Sequence, residues 1–201
     1  MSDISRRLVF ALAAALTLAA CNKPAGGASD SDMTLGNPAA KVTVVEYASA
    51  ACPHCAAFNN EIFPDFKKKY IDSGKVHYVF REYLTPPVQV AAAGFLLARC
   101  AGKDKYFSVL DAVFRAQNEM FTSGDVHGVL LRIAQSAGLT EDQFTACISD
   151  EKSIKALQDR VQKAQTVDKV DSTPTFVIND KKYVGEQTMA QFDAAIQPLL
   201  K

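Results

Sequence analysis

Glu46-Tyr47-Ala48-Ser49-Ala50-Ala51-Cys52-Pro53-His54-Cys55 is the stretch on which the reading of this chain turns. Upstream, Lys41 to Ala48 is β-branched and nearly continuous in apolar character, the pattern of a central strand covered on both faces. Downstream, Phe58, Ile62, Phe66 and Tyr70 recur every four residues and predict a helix with one apolar stripe, kinked at Pro64. The cysteine pair therefore stands at a strand-to-helix junction. Its first member falls at the helix start, where unpaired N–H groups and the helix dipole favour a thiolate. Pro53 suits the first helical position, which needs no N–H. His54 adds a potential positive charge and donor beside Cys52. Cys52 is the expected nucleophile, and Cys55, one turn further on, the more shielded resolving thiol.

A thiolate favoured in this way is a good leaving group. It stabilises the reduced pair and makes the disulfide a stronger oxidant. The competing readings of the pair are a structural disulfide, half of a zinc site, and a copper ligand set completed by His54. Zinc wants further ligands at metal spacing, whereas Cys100 and Cys147 are solitary and His77 and His127 are scattered. No metal and no cofactor is expected. Glu46 interrupts an otherwise apolar strand six residues before Cys52, so its carboxyl is expected beneath the dithiol with its pKa raised by burial, able to relay a proton for Cys55. The alternative is a Glu at an exposed strand end.

The charge balance is neutral, with 22 Lys plus Arg against 22 Asp plus Glu in 201 residues, so no overall field attracts nucleic acid. Specificity must lie in a site. At the N-terminus, Arg6 and Arg7 precede an uncharged run from Leu8 to Ala20, too short to span a bilayer and typical of an export signal. The run ends in Leu18-Ala19-Ala20-Cys21, which resembles a bacterial lipobox, so residues 1–20 are expected to be a lipoprotein signal peptide and Cys21 its lipidated residue. Five cysteines are an odd number, and lipidation of Cys21 leaves the even set Cys52, Cys55, Cys100 and Cys147 in an exported chain, where disulfides persist. Residues 21–34, rich in Gly, Pro, Ser and Asp, are expected to form a flexible tether, with the folded domain starting near Leu35.

Beyond the first helix, Val76 to Tyr83 reads as a second strand stopped by Pro86-Pro87. Four or five helices follow, with apolar faces around Leu96, Leu110, Leu130, Phe144 and Leu157. Thr140 with Gln143, and later Thr188 with Gln191, form capping boxes. Thr175 to Ile178 and Lys182 to Val184 read as a hairpin turning at Asn179-Asp180, before a last helix through Phe192 and Ile196. This is an α/β chain split by a helical insertion.

The CPHC pair, Glu46 six residues before it, Pro64, the helical insertion and Thr173-Pro174-Thr175-Phe176 together resemble the DsbA-like branch of the thioredoxin superfamily. The resemblance implies a thioredoxin fold with an inserted α-helical domain: residues 35–84 and 168–201 forming the first, and 85–167 the second. It implies a catalytic set of Glu46, Cys52, His54, Cys55 and a cis Pro174, with Thr173 and Pro174 binding an extended substrate segment as an added strand. Cys100 and Cys147, both on apolar helix faces, are read as a second, structural disulfide rather than as buried free thiols because an exported setting favours the bridge, and this resembles the second bridge of some DsbA-like branches. The activity implied is a thiol-disulfide oxidoreductase that introduces disulfides into reduced, unfolded exported proteins and is recharged by a membrane DsbB-type oxidase. Its place would be the bacterial cell envelope, lipid-anchored and facing the periplasm. Thr173 stands where the enteric oxidases typically have Val, which keeps an isomerase or reductase as the alternative. A copper-binding chaperone and a redox-inert lipoprotein are the more distant ones.

Overall fold

The computed structural model of the chain describes residues 28–201. The signal peptide expected over 1–20 and the lipid-bearing Cys21 lie outside the described residues. The tether expected over 21–34 is corrected where it is described. Met33–Gly36 is a strand, β1. Asp32, just before it, accepts a hydrogen bond from Arg81 Nη2 at 3.2 Å. A four-residue edge strand with only Met33 buried carries too little periodicity to be read from sequence.

The remaining strands are β2 (Val42–Ala48), β3 (Val76–Glu82), β4 (Thr175–Ile178) and β5 (Lys181–Val184). They form one sheet in the order β1-β3-β2-β4-β5, in which only β2 and β3 run parallel. Between β2 and β3 the chain makes helix α1, residues 53–71, in which α-helical turns alternate with π turns at Phe58–Ile62 and Lys67–Ile71. Side chains placed every four residues drift around a helix of 3.6 residues per turn. The wider π turns take up that drift and keep Phe58, Phe66 and Tyr70 on one buried face. The first π turn also precedes Pro64, whose missing N–H would interrupt a regular α ladder.

Six helices separate β3 from β4: α2 (Val88–Cys100), α3 (Tyr106–Arg115), α4 (Gln117–Ser123), α5 (Val126–Ser136), α6 (Glu141–Ser149) and α7 (Glu151–Thr166). The sequence reading stopped at five and missed α4, whose seven residues offer Met120 and Phe121 side by side rather than an apolar repeat. After the β4–β5 hairpin, in which Asn179 takes a positive φ of 50°, helix α8 (Met189–Ile196) starts in the Thr188/Gln191 capping box.

The strands alternate in the two-residue period of the pleat. Val44 and Ala48 of β2 join the large core that includes α1, α8 and helices from α2 onward. Val45 and Tyr47 face the other way, onto Val79, Val177, Ala164 of α7 and Val170. Glu46 shares the face of Val44 and Ala48, so the sheet delivers its carboxyl under α1. Phe58 and Phe66 of α1 pack on Phe176 of β4 and Phe192 of α8 with ring centroids 4.8 Å apart in each pair. Truncating such a ring to Ala typically costs about 3–5 kcal/mol.

Two further ties hold the helices to the sheet. Glu82, at the end of β3 with its side chain fully buried, accepts hydrogen bonds from Arg99 Nε at 2.5 Å, Arg160 Nε at 2.6 Å and the Tyr106 hydroxyl at 3.1 Å. This joins β3 to α2, α7 and α3. Cys100 at the end of α2 is bonded to Cys147 of α6, with their Cα atoms 6.0 Å apart.

Candidate active site

Cys52 is the N-cap of α1, with extended backbone angles (φ −87°, ψ 120°), and Pro53 opens the helix. Cys55 is completely buried, Cys52 nearly so, and both are free thiols. The Cys52 thiol is lowered to about 5. The largest cause is the hydrogen bond from Cys55, burial works against it, and the Thr173 side chain, followed by the main-chain N–H groups of Cys55 and His54, adds to it. Cys55 moves the opposite way, well above the ordinary thiol range, because burial, the bond it gives to Cys52 and the nearby negative charges of Cys52 and Glu46 all oppose its ionisation. Two thiols three residues apart thus have different chemistry. One is a thiolate at neutral pH and the other holds its proton.

The ring of His54 is exposed, and its Nδ1 lies 2.8 Å from Glu186 Oε1. The sequence suggested a charged ring beside Cys52, but it is the main-chain N–H of His54 that acts on the sulfur. A side chain this solvated at the second helical position turns readily toward the carboxylate of the loop after β5.

Glu46 is buried, flanked across the sheet by Phe80 of β3 and Phe176 of β4, and accepts the hydroxyl of Tyr78. Burial raises its pKa to about 8, the Tyr78 bond pulls it down, and the Cys52 charge adds to the rise. It is therefore mostly protonated at pH 7. The interaction of its charge with Cys55 places it within electrostatic reach of the resolving thiol. The exposed strand-end alternative for this residue is ruled out by its 2% exposure.

Thr173–Pro174 is a cis peptide. The Thr173 carbonyl is the acceptor for the Cys52 thiol at 3.4 Å, while the Pro174 carbonyl accepts the N–H of Gly185 at 2.8 Å. Glu46, Cys52, Cys55 and Thr173 are thus brought together from β2, α1 and the loop before β4. Cys100 and Cys147, joined to each other, pair apart from the free thiols. No group of three or more His, Cys, Asp or Glu that could hold a metal occurs among the described residues.

Three residues of this region escaped the sequence reading. Ser49, fully buried, receives the Cys52 N–H on its main-chain oxygen at 3.0 Å. Its hydroxyl oxygen accepts the N–H groups of Ala51 at 3.3 Å and Thr85 at 3.2 Å. Tyr78 reads in sequence only as a strand aromatic. Gln117 belongs to the missed helix α4 and donates to the Ala50 and Cys52 carbonyls at 2.9 and 3.2 Å. Its distance in sequence, 67 and 65 residues, leaves no local signal.

The thioredoxin family profile matches residues 28–198. A provisionally named protein-disulfide oxidoreductase of Rickettsia bellii is 34% identical over 172 residues, covering 84% of this chain and 66% of that protein. The chain spans 55% to 66% of the length of the Rickettsia relatives it matches. The crystal structure of Wolbachia pipientis α-DsbA1 superposes with a TM-score of 0.78 at 30% identity, covering 86% of this chain and 92% of the other. Bacillus subtilis BdbD in its oxidised form shares the fold, with a TM-score of 0.68 at 23% identity over 84% of this chain and 92% of its own.

Proposed function

The chain belongs to the DsbA-like thiol-disulfide oxidoreductases of the thioredoxin family, and from that premise we propose that it introduces disulfides into exported proteins through Cys52-Pro53-His54-Cys55. The observation that carries this reading is the split between the two thiols, Cys52 lowered to about 5 and Cys55 raised. A thiolate this stable favours the reduced pair, and the disulfide is correspondingly eager to accept electrons.

In the proposed cycle a substrate thiolate attacks Cys52 Sγ of the oxidised pair. The Cys52–Cys55 bond breaks, a mixed disulfide forms on Cys52, and the electron pair leaves on Cys55. Cys55, whose thiolate is disfavoured in its buried site, takes a proton; the largely protonated carboxyl of Glu46 is its proposed source. A second substrate thiolate then attacks the substrate's own sulfur, and Cys52 departs as a stabilised thiolate. The substrate gains one disulfide and the enzyme two electrons, which pass to a membrane oxidase of the DsbB type. Thr173 and Pro174 would align the substrate as an extended strand beside Cys52, with the helices of residues 85–167 forming the wall of the groove. The lipobox at Cys21 supports a lipid anchor facing the periplasm; no helix among the described residues is long and apolar enough to cross a membrane.

The test is reoxidation of reduced, unfolded ribonuclease in a glutathione buffer, with Cys52→Ser as the inactive control. The reduction potential decides direction. A value near thioredoxin's, about −270 mV, would replace the oxidase reading with an isomerase or reductase kept reduced by its membrane partner.

A further inference from the structure

The loop that presents Cys52 is pinned from two sides. On one side is the sheet-end network of Ser49, whose hydroxyl binds Thr85 Oγ1 at 2.8 Å. On the other is Gln117, the first residue of α4, only 4% exposed. Its Nε2 carries two hydrogens, and the geometry commits both: one to the Ala50 carbonyl at 2.9 Å, one to the Cys52 carbonyl at 3.2 Å. The Cys52 carbonyl also accepts the Ala56 N–H at 3.1 Å, closing the first turn of α1. Gln117 therefore grips the peptide group whose rotation sets the direction of the Cys52 side chain relative to the helix N–H groups.

We infer that Gln117 is a positioning residue for the dithiol: from the helical block, it fixes the Cys52 peptide so that the sulfur stays on the N–H groups of His54 and Cys55. It touches neither sulfur and acts through the backbone. Without its two donors the Ala50 and Cys52 carbonyls lose buried partners and the peptide between Cys52 and Pro53 gains freedom. The sulfur then spends less time on the helix start, the thiolate is less favoured, and the disulfide becomes a weaker oxidant. α4 is thereby coupled to the redox pair through Gln117. The inference rests on the dithiol reading proposed above, but its test does not require turnover.

The experiment compares wild type with Gln117→Leu and Gln117→Asn, titrating Cys52 by thiolate absorbance at 240 nm and measuring the equilibrium with glutathione. Leu removes both donors. Asn retains the amide but is one methylene too short to keep both bonds. The expected result is a thiolate fraction at pH 5 reduced about threefold in Gln117→Leu, with the glutathione equilibrium shifted about fivefold toward the oxidised enzyme, and a smaller shift in Gln117→Asn. If Gln117→Leu does not fold, the Asn variant is read alone, and an unshifted titration there overturns the inference. Equal losses of thermal stability in the oxidised and reduced forms, with titration and equilibrium unchanged, also overturn it, because a residue that only packs behaves that way. Absence of oxidase activity in the wild type would strike the proposed function while leaving the titration readable.

Discussion

The sulfur of Cys52 lies 3.4 Å from the main-chain oxygen of Thr173. A thiol can donate across that distance, whereas a thiolate and a carbonyl oxygen repel. The contact with the carbonyl therefore belongs to the protonated form, while the Thr173 side chain favours the thiolate. Absorbance at 240 nm should rise with a midpoint near 5 in the reduced protein and be absent in Cys52→Ser. A midpoint at or above 8 would show that the bond from Cys55 and the surrounding donors do not stabilise this thiolate.

The same shift makes a statement about stability. A group lowered from 9.0 unfolded to about 5 folded contributes stability that is fully present above the unfolded value and disappears as pH falls through the folded one. Glu46 works in the opposite sense, but its main cause, burial, acts in both redox forms. Urea unfolding of the reduced minus the oxidised protein should therefore show a difference that grows from pH 5 to pH 9. A flat difference would remove the thermodynamic basis of the oxidase reading.

Glu46→Gln separates the proton relay from the buried carboxylate. The folded pKa of Glu46 is raised to about 8 from 4.5, so the stability it contributes is present below 4.5 and lost as pH rises toward 8. The variant should gain stability relative to wild type progressively across that window, by guanidinium unfolding at a series of pH values. Formation of a mixed disulfide on Cys52 from the oxidised pair should slow at pH 7, because Gln has no acidic proton to give to the departing Cys55.

The Cys100–Cys147 bridge closes a sequence separation of 47 residues. Replacing both cysteines by Ala should cost about 2–4 kcal/mol in the chain-entropy view. The titration of Cys52 should be unmoved, since the bridge lies among helices and the redox pair at the sheet end. A change in the glutathione equilibrium of the double variant would contradict this separation.

Glu82 with Arg99 and Arg160 is a buried ionic knot. Glu82→Leu removes the acceptor and leaves both guanidinium groups partly buried without it, which should cost about 3–5 kcal/mol by thermal or chemical unfolding. A loss below about 1 kcal/mol would mean that water substitutes for the carboxylate.

What the sequence disclosed and what it withheld divide along a physical line. β2, α1 and the hairpin were legible because each buries a continuous face with its own period, and Cys52 and Glu46 were legible because they interrupt such a period. Thr140 and Thr188 announced helix starts because capping is a local contract over three residues. β1 and α4 were hidden, being short and held by distant partners. Gln117 and Ser49 were hidden for a related reason: a polar side chain that serves another segment's backbone leaves no mark in its own neighbourhood. His54 shows the reverse case, a residue singled out for its ring, which engages Glu186, while its main-chain N–H makes a minor contribution at the sulfur.

The bridge between Cys100 and Cys147 also makes this chain a client of the chemistry proposed for it. Two electrons must leave those thiols during its own maturation. Four cysteines can be joined pairwise in three ways, and only one of them leaves Cys52 opposite Cys55. A newly made copy therefore has to have its own four thiols sorted before it can carry out the chemistry proposed for it.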